Sequence, residues 1–296
     1  MSRFSPSDAA LEGFRLTRER PAAMLAWSFV YFGGLLLITL TMMITLGPQF
    51  IAVVKKGGFS ADDIEAVSGL LYQSGPAFIL LLLMTIVLFS VITGGVLRLV
   101  LRPEEHGFAH LRLGRDELRL AAVNLVFVGF YVVSLVAGVL VGQVFSQSGA
   151  PLNVLAPAVI VGLPASWVGV RLCLMTPLTF DRRRISFGDA WAMSKGRSWS
   201  LLGMIVLAVV FYVMVWLLFF VIGLALVELS GGEKAMQDIS KLTPLTAVAA
   251  IASLIMQFLM QILQVVMLYG PFAVAYRQIR GANASEVPGA PATASP

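Results

Sequence analysis

Few residues in this chain have side chains suited to chemistry, and the most telling of them sit among apolar neighbours. Arg171 is the one basic residue well inside an expected membrane span, ten residues before Asp181, or about 15 Å along a helix. An arginine held in hydrocarbon costs up to about 3 kcal/mol, less where its stem lets the charged head reach water. Two roles fit it: reaching the inner headgroups or carbonyls freed near Pro177, or binding an anionic headgroup or substrate. Ser253, Gln257, Gln261 and Gln264 recur at offsets of 4, 8 and 11. At 100° per residue they fall within about 80° of one another on a helix. Lipid offers such a face no hydrogen bonds. The face therefore either bonds neighbouring helices, at roughly 0.6 kcal/mol per bond, or lines a polar path together with Arg171. Met256, Met260 and Met267 accompany it and read as adaptable filler.

A second group is basic and aromatic. Arg182, Arg183, Arg184, Lys195 and Arg197 alternate with Trp191 and Trp199. That pattern suits a helix held at the membrane surface by anionic headgroups, at about 1 kcal/mol per basic residue; it also sets topology. His106 and His110 follow Glu104 and Glu105, but Pro103, Gly107 and Gly114 break the helix that would let them share a metal, so no metal site is expected. No Asp, Glu, His or Lys stands deep in any apolar run, and Glu228 is at the outer end of one. Proton-coupled transport and intramembrane proteolysis need such groups. The chain also lacks Gly-x-Gly-Asp, His-Glu-x-x-His, P-loop and Gly-x-Ser-x-Gly motifs. The expectation is a non-enzymatic protein with no catalytic residue and no cofactor. The single Cys173 excludes an internal disulfide.

The elements that carry these residues follow from composition. Of 296 residues, 58% are hydrophobic and only 12% charged, half the charge of an ordinary globular domain. Five runs contain no ionised residue: 21–54, 66–97, 120–170, 198–227 and 242–276. Each is long enough for the roughly 20 residues that cross a bilayer, and the third, about 76 Å as one helix, must be two spans. Ser146 to Asn153 supplies the turn. The expected fold is all-α: a polytopic membrane protein of six transmembrane helices, near 22–47, 76–101, 120–144, 154–176, 200–227 and 245–275, arranged as three hairpins with short interfacial helices. One set of connections holds 17 of the 21 basic residues and the other only Lys55, Lys56, Lys234 and Lys241. The basic side, with both termini, is expected in the cytoplasm. The pI near 9.6 then reflects topology and contact with anionic lipid, not nucleic-acid binding.

Units 1–101, 102–180 and 181–275 resemble one another. Ser5-Pro6-Ser7-Asp8 echoes Ser186-Phe187-Gly188-Asp189, each a capping-box-like helix start that should open a short amphipathic helix on the membrane. Arg98-Leu99-Val100-Leu101 before Pro103 echoes Arg171-Leu172-Cys173-Leu174 before Pro177. Ile64, Val67 and Leu71 after Ser60-Ala61-Asp62-Asp63 suggest an interfacial helix on the other side. Ser134, Gly138 and Gly142 face Ala158, Gly162 and Ser166 in register for an antiparallel hairpin, which predicts a close approach of the third and fourth spans. In domain terms, 1–21 reads as a cytoplasmic interfacial segment, 22–280 as the transmembrane domain and 281–296 as a disordered tail rich in Ala, Pro, Gly and Ser.

The stretch Arg171-Leu172-Cys173-Leu174-Met175-Thr176-Pro177, followed by Phe187-Gly188-Asp189-Ala190-Trp191 and Lys195-Gly196-Arg197-Ser198-Trp199, resembles a broad bacterial group of six-helix inner-membrane proteins without assigned function. That group is similar to the membrane domain attached to some glycerophosphodiester phosphodiesterases. Arg102-Pro103-Glu104-Glu105 and Leu111-Arg112-Leu113-Gly114 extend the likeness to proteobacterial members. The catalytic barrel of those enzymes is absent, so the resemblance implies fold and inner-membrane location, not hydrolysis. The reading as a whole is an accessory or regulatory protein that binds membrane lipid, anionic headgroups above all, or a partner membrane protein. The alternative is a transporter or lipid translocator using the glutamine face and Arg171.

Overall fold

A computed structural model describes residues 4–55, 64–105, 108–146, 152–229 and 243–285. His106, Lys56, Lys234, Lys241, Arg3, Ser60 to Asp63 and the tail beyond Ser285 lie outside the described residues. The described chain is almost entirely helical, with no strand among the described residues and six helices long and apolar enough to cross a membrane: Pro21–Gly47, Ser74–Leu101, Arg115–Val144, Val154–Arg182, Ser198–Leu229 and Pro244–Gly281. They match the six expected spans because a long apolar stretch in a bilayer can satisfy its backbone only as a helix. This is a multi-pass membrane protein.

In chain order the helices are α1 (Pro6–Glu19), α2 (Pro21–Lys55), α3 (Ile64–Leu101), α4 (Arg115–Val144), α5 (Leu152–Pro157), a π-helical turn (Ala158–Gly162), α6 (Leu163–Leu172), α7 (Met175–Arg182), α8 (Phe187–Ser194), α9 (Ser198–Leu229) and α10 (Pro244–Ser285). Ser5 and Ser186 cap α1 and α8, their hydroxyls accepting from the Asp8 and Asp189 N–H groups at 3.4 Å. Both short helices are thus where their capping signatures place them. The segment bearing Ile64, Val67 and Leu71 is not a separate interfacial helix but the first turns of α3. On the far side of the bundle α10 runs to Ser285.

The core is concentrated at the arginine-rich end. It gathers Ala9 and Leu16 of α1, Trp27 of α2, Ile92 and Leu97 of α3, Leu174 to Phe180 around α7, Met204 of α9 and Ile262 to Ile279 of α10. Helix α1 packs along α10 and against α9, so closely that a Cβ on Gly13 would stand 2.8 Å from the Met267 Cα. By contrast, none of the most apolar stretch of α4 is buried, against 28% in the second and sixth spans. Helix α4 meets α5 and the π-turn that carries Ala158 and Gly162. A Cβ on Gly138 would touch nothing within 4 Å, and one on Gly162 only the Pro157 carbonyl of its own helix. The predicted close approach at those glycines is absent: Pro157 and Pro164 bracket the π-turn, and such a turn rotates the faces that an unbroken helix would present.

Candidate functional site

A helix continuing past Leu172 would require a hydrogen bond from position 177 to the Cys173 carbonyl. Pro177 has no N–H to give, and the chain turns at Cys173 and Leu174 before restarting as α7. Met175 to Phe180 are all buried. The left-handed Arg183 (φ 55°) ends α7, and Ser186 then caps α8, which folds back on α6. Gly196, at φ 78°, makes the turn into α9, a conformation open to glycine at no steric cost.

This path brings Trp191 to the Arg171 guanidinium, 4.9 Å from its ring centre, with the Trp167 ring 5.8 Å away. Trp167 in turn lies 5.6 Å from Trp199, the second residue of α9. Through these rings Arg171 is linked to the start of the fifth span, and the break at Cys173 interrupts the continuous helix expected between Arg171 and Asp181. The cleft here is about 550 Å3, lined by Arg171, Leu172, Phe187, Gly188, Trp191, Ala192 and Lys195. Two cations and no carboxylate face it among the described residues. The Arg171 Nε is buried and has no hydrogen-bond partner. A cation stacked on indole gains about 0.5–2 kcal/mol, but stacking leaves the N–H edge of the guanidinium still to be satisfied.

The remaining basic candidates separate. Arg182 and Arg184 both bind Asp189, at 2.7 and 2.9 Å. The Asp189 carboxyl is held below its ordinary value first by the Ser186 hydroxyl and then by the two arginines. Arg183 faces a different cleft. Arg197 lines neither. Gln257 and Gln261 line a third cleft, of about 480 Å3 between α9 and α10, beside Tyr212, Trp216 and Ser253. They and Gln264 are exposed, and no hydrogen bond satisfies them among the described residues. The glutamine cleft and the Arg171 cleft share no lining residue, so the structure does not bring the proposed polar path together in one cavity.

What sequence reasoning missed is a buried ionic latch. Arg98, almost fully buried, pairs with the equally buried Glu117, donates to the His110 carbonyl and lies 3.3 Å from Glu105. Arg102 reaches Glu105, Asp116 and the Phe180 carbonyl, while Arg119 holds Asp116 at 2.6 Å. Both Arg98 and Arg102 sit over the Phe180 ring. Asp181 accepts from Tyr276 and Arg280, each at 2.6 Å, and Trp27 donates to Ala109 at 2.7 Å. These contacts tie the loop before α4 to α2, α3 and α7, and α7 to α10. The available signal was the cluster Arg115-Asp116-Glu117, whose carboxylates read only as the first-turn acids of a helix.

No family model, curated protein or solved structure matches the chain.

Proposed function

We propose that this is a non-enzymatic protein of the bacterial inner membrane, its arginine-rich end and both termini cytoplasmic, that serves as an accessory or regulatory subunit by holding an anionic lipid headgroup. The observation that carries this reading is the Arg171 cleft. A guanidinium stacked on one tryptophan, with a second beside it, keeps a buried N–H unpartnered, Lys195 stands across from it, and no carboxylate neutralises the pair among the described residues. A lipid phosphate supplies the missing acceptor, and its acyl chains lie along the exposed apolar faces of α6 and α9. The cytoplasmic placement rests on the 17 to 4 distribution of basic residues, and the inner-membrane placement on the resemblance of the Arg171-to-Trp199 stretch.

A partner membrane protein is the other occupant consistent with this role, and the unbonded Gln257, Gln261 and Gln264 are where its helix would hydrogen-bond. Transport along those glutamines and Arg171 has less support, because the two clefts are separate.

Native mass spectrometry of the detergent-purified chain tests the proposal. Phosphatidylglycerol or cardiolipin should be retained in preference to phosphatidylethanolamine, and Arg171→Ala should cut that retention about tenfold. Equal retention of neutral and anionic lipid, or no change in the variant, overturns it.

A further inference from the structure

Arg112, Arg115 and Arg183 converge on one cleft from the loop before α4, the first turn of α4 and the last residue of the α7 turn. The cleft measures about 360 Å3, within the range of small-ligand sites. Each carboxylate lining it is already engaged: Glu117 by Arg98, Glu105 by Arg98 and Arg102, and Asp116 by Arg102 and Arg119. Arg112, Arg115 and Arg183 are left with no ion pair or hydrogen bond among the described residues.

Gly114 caps α4 without a side-chain hydrogen bond and has the Glu117 carboxylate beside it, so the arginines and not the helix start would receive an anion. Arg183 is held at φ 55°, ψ 25°, a conformation that favours glycine over any side chain, yet a guanidinium stands there and bonds nothing. All three are exposed at the mouth of the cleft, where a basic cluster attracts an anion from solvent. Guanidinium groups match the spread oxygens of a phosphate in bidentate fashion, and a single carboxylate has too few oxygens to serve all three.

We infer that this cleft binds a phosphate-bearing anion of at least two negative charges, at a site distinct from the Arg171 cleft. Arg112, Arg115 and Arg183 supply its donors from three segments of the chain, beside the engaged Arg98–Glu117 pair. The phosphate belongs either to a free phosphorylated molecule or to a lipid headgroup whose phosphate is a monoester.

The test uses the full chain in detergent with inorganic pyrophosphate, followed by calorimetric titration, and the full chain in nanodiscs of phosphatidylcholine with or without phosphatidic acid. Pyrophosphate binding that weakens at least tenfold in Arg115→Gln and in Arg183→Gly, weakens with added salt, and is unchanged in Arg171→Ala identifies a free phosphate ligand. Selective retention of phosphatidic acid with the same dependence on Arg115 and Arg183 identifies a headgroup. Arg183→Gly relieves the left-handed strain, so its melting temperature should hold or rise, and loss of binding there is not loss of fold. If neither probe binds, or if both variants bind as the parent does, the inference fails.

Discussion

Arg98 and Arg171 hold corresponding places in two units of the chain, each followed by three apolar residues and, within six positions, a proline, but their surroundings are opposite. Arg98 is enclosed, paired with Glu117 and bonded to a carbonyl. Arg171 is stacked on tryptophan in an open cleft and lacks an acidic partner among the described residues. The source of the difference is the segment that follows. After Arg98 the loop doubles back through Ala109 and His110, both at positive φ, and delivers the acidic first turn of α4. After Arg171 the chain passes through buried α7 and returns α8 with its aromatic face. One repeat position has thus become part of the scaffold and the other has stayed available.

The largest expected effect tests the scaffold half. Arg98→Ala should strand the buried Glu117 charge and cost about 3–5 kcal/mol of unfolding free energy, read from unfolding in mixed detergent and dodecyl sulfate. Arg98→Met combined with Glu117→Leu should recover most of that loss. If the double variant were no better than the single, the latch would not be an isolated ion pair.

The six spans were legible because the requirement is local: a run without charge, in a solvent that cannot bond the backbone, must be helical. The caps at Ser5 and Ser186 were legible for the same reason, since a hydroxyl three residues before an acid acts within one turn. The Arg98–Glu117 pair was not, because 19 residues separate the partners and the intervening loop adopts left-handed conformations at an alanine and a histidine, which no propensity would assign there. Of the candidate site, the sequence put Arg171 with the glutamine face and Lys195 and Trp191 in a separate basic and aromatic group, whereas the structure lines one cleft with all three. Their convergence depended on the break at Cys173, and Trp167, a single indole in an apolar run, carried no pattern. The small-residue stripes show the limit of spacing arguments. Gly138 and Gly162 permit close approach, but lipid fills the space beside a glycine as readily as a helix does.

Two glycines extend the comparison from the packed side of the molecule to the open side. Gly13→Ala would press its Cβ to 2.8 Å of the Met267 backbone, where no flexible side chain can give way, and should cost about 1–3 kcal/mol. Gly138→Ala meets nothing within 4 Å and should be neutral or stabilising by up to about 1 kcal/mol, through helix propensity alone. Similar losses at both would mean that α4 packs more tightly than its exposure indicates.

The smallest effect concerns Asp189, which keeps Arg182 and Arg184 from joining Arg171 and Lys195. Its carboxyl is held below the ordinary value of about 3.9, chiefly by Ser186. A depressed native value means that the contribution to holding α8 is complete above pH 4 and is lost only as the pH falls through the native value below that. Hydrogen exchange in α8 should be flat from pH 8 to about pH 4 once the intrinsic rate is removed, and should rise below it. Asp189→Asn should abolish that rise while freeing two arginines beside the cleft, so retention of anionic lipid should increase, by less than about fivefold. An unchanged or lower retention would mean that Arg182 and Arg184 do not reach the lipid held at Arg171, and that the open half of the comparison is confined to Arg171, Trp191 and Lys195.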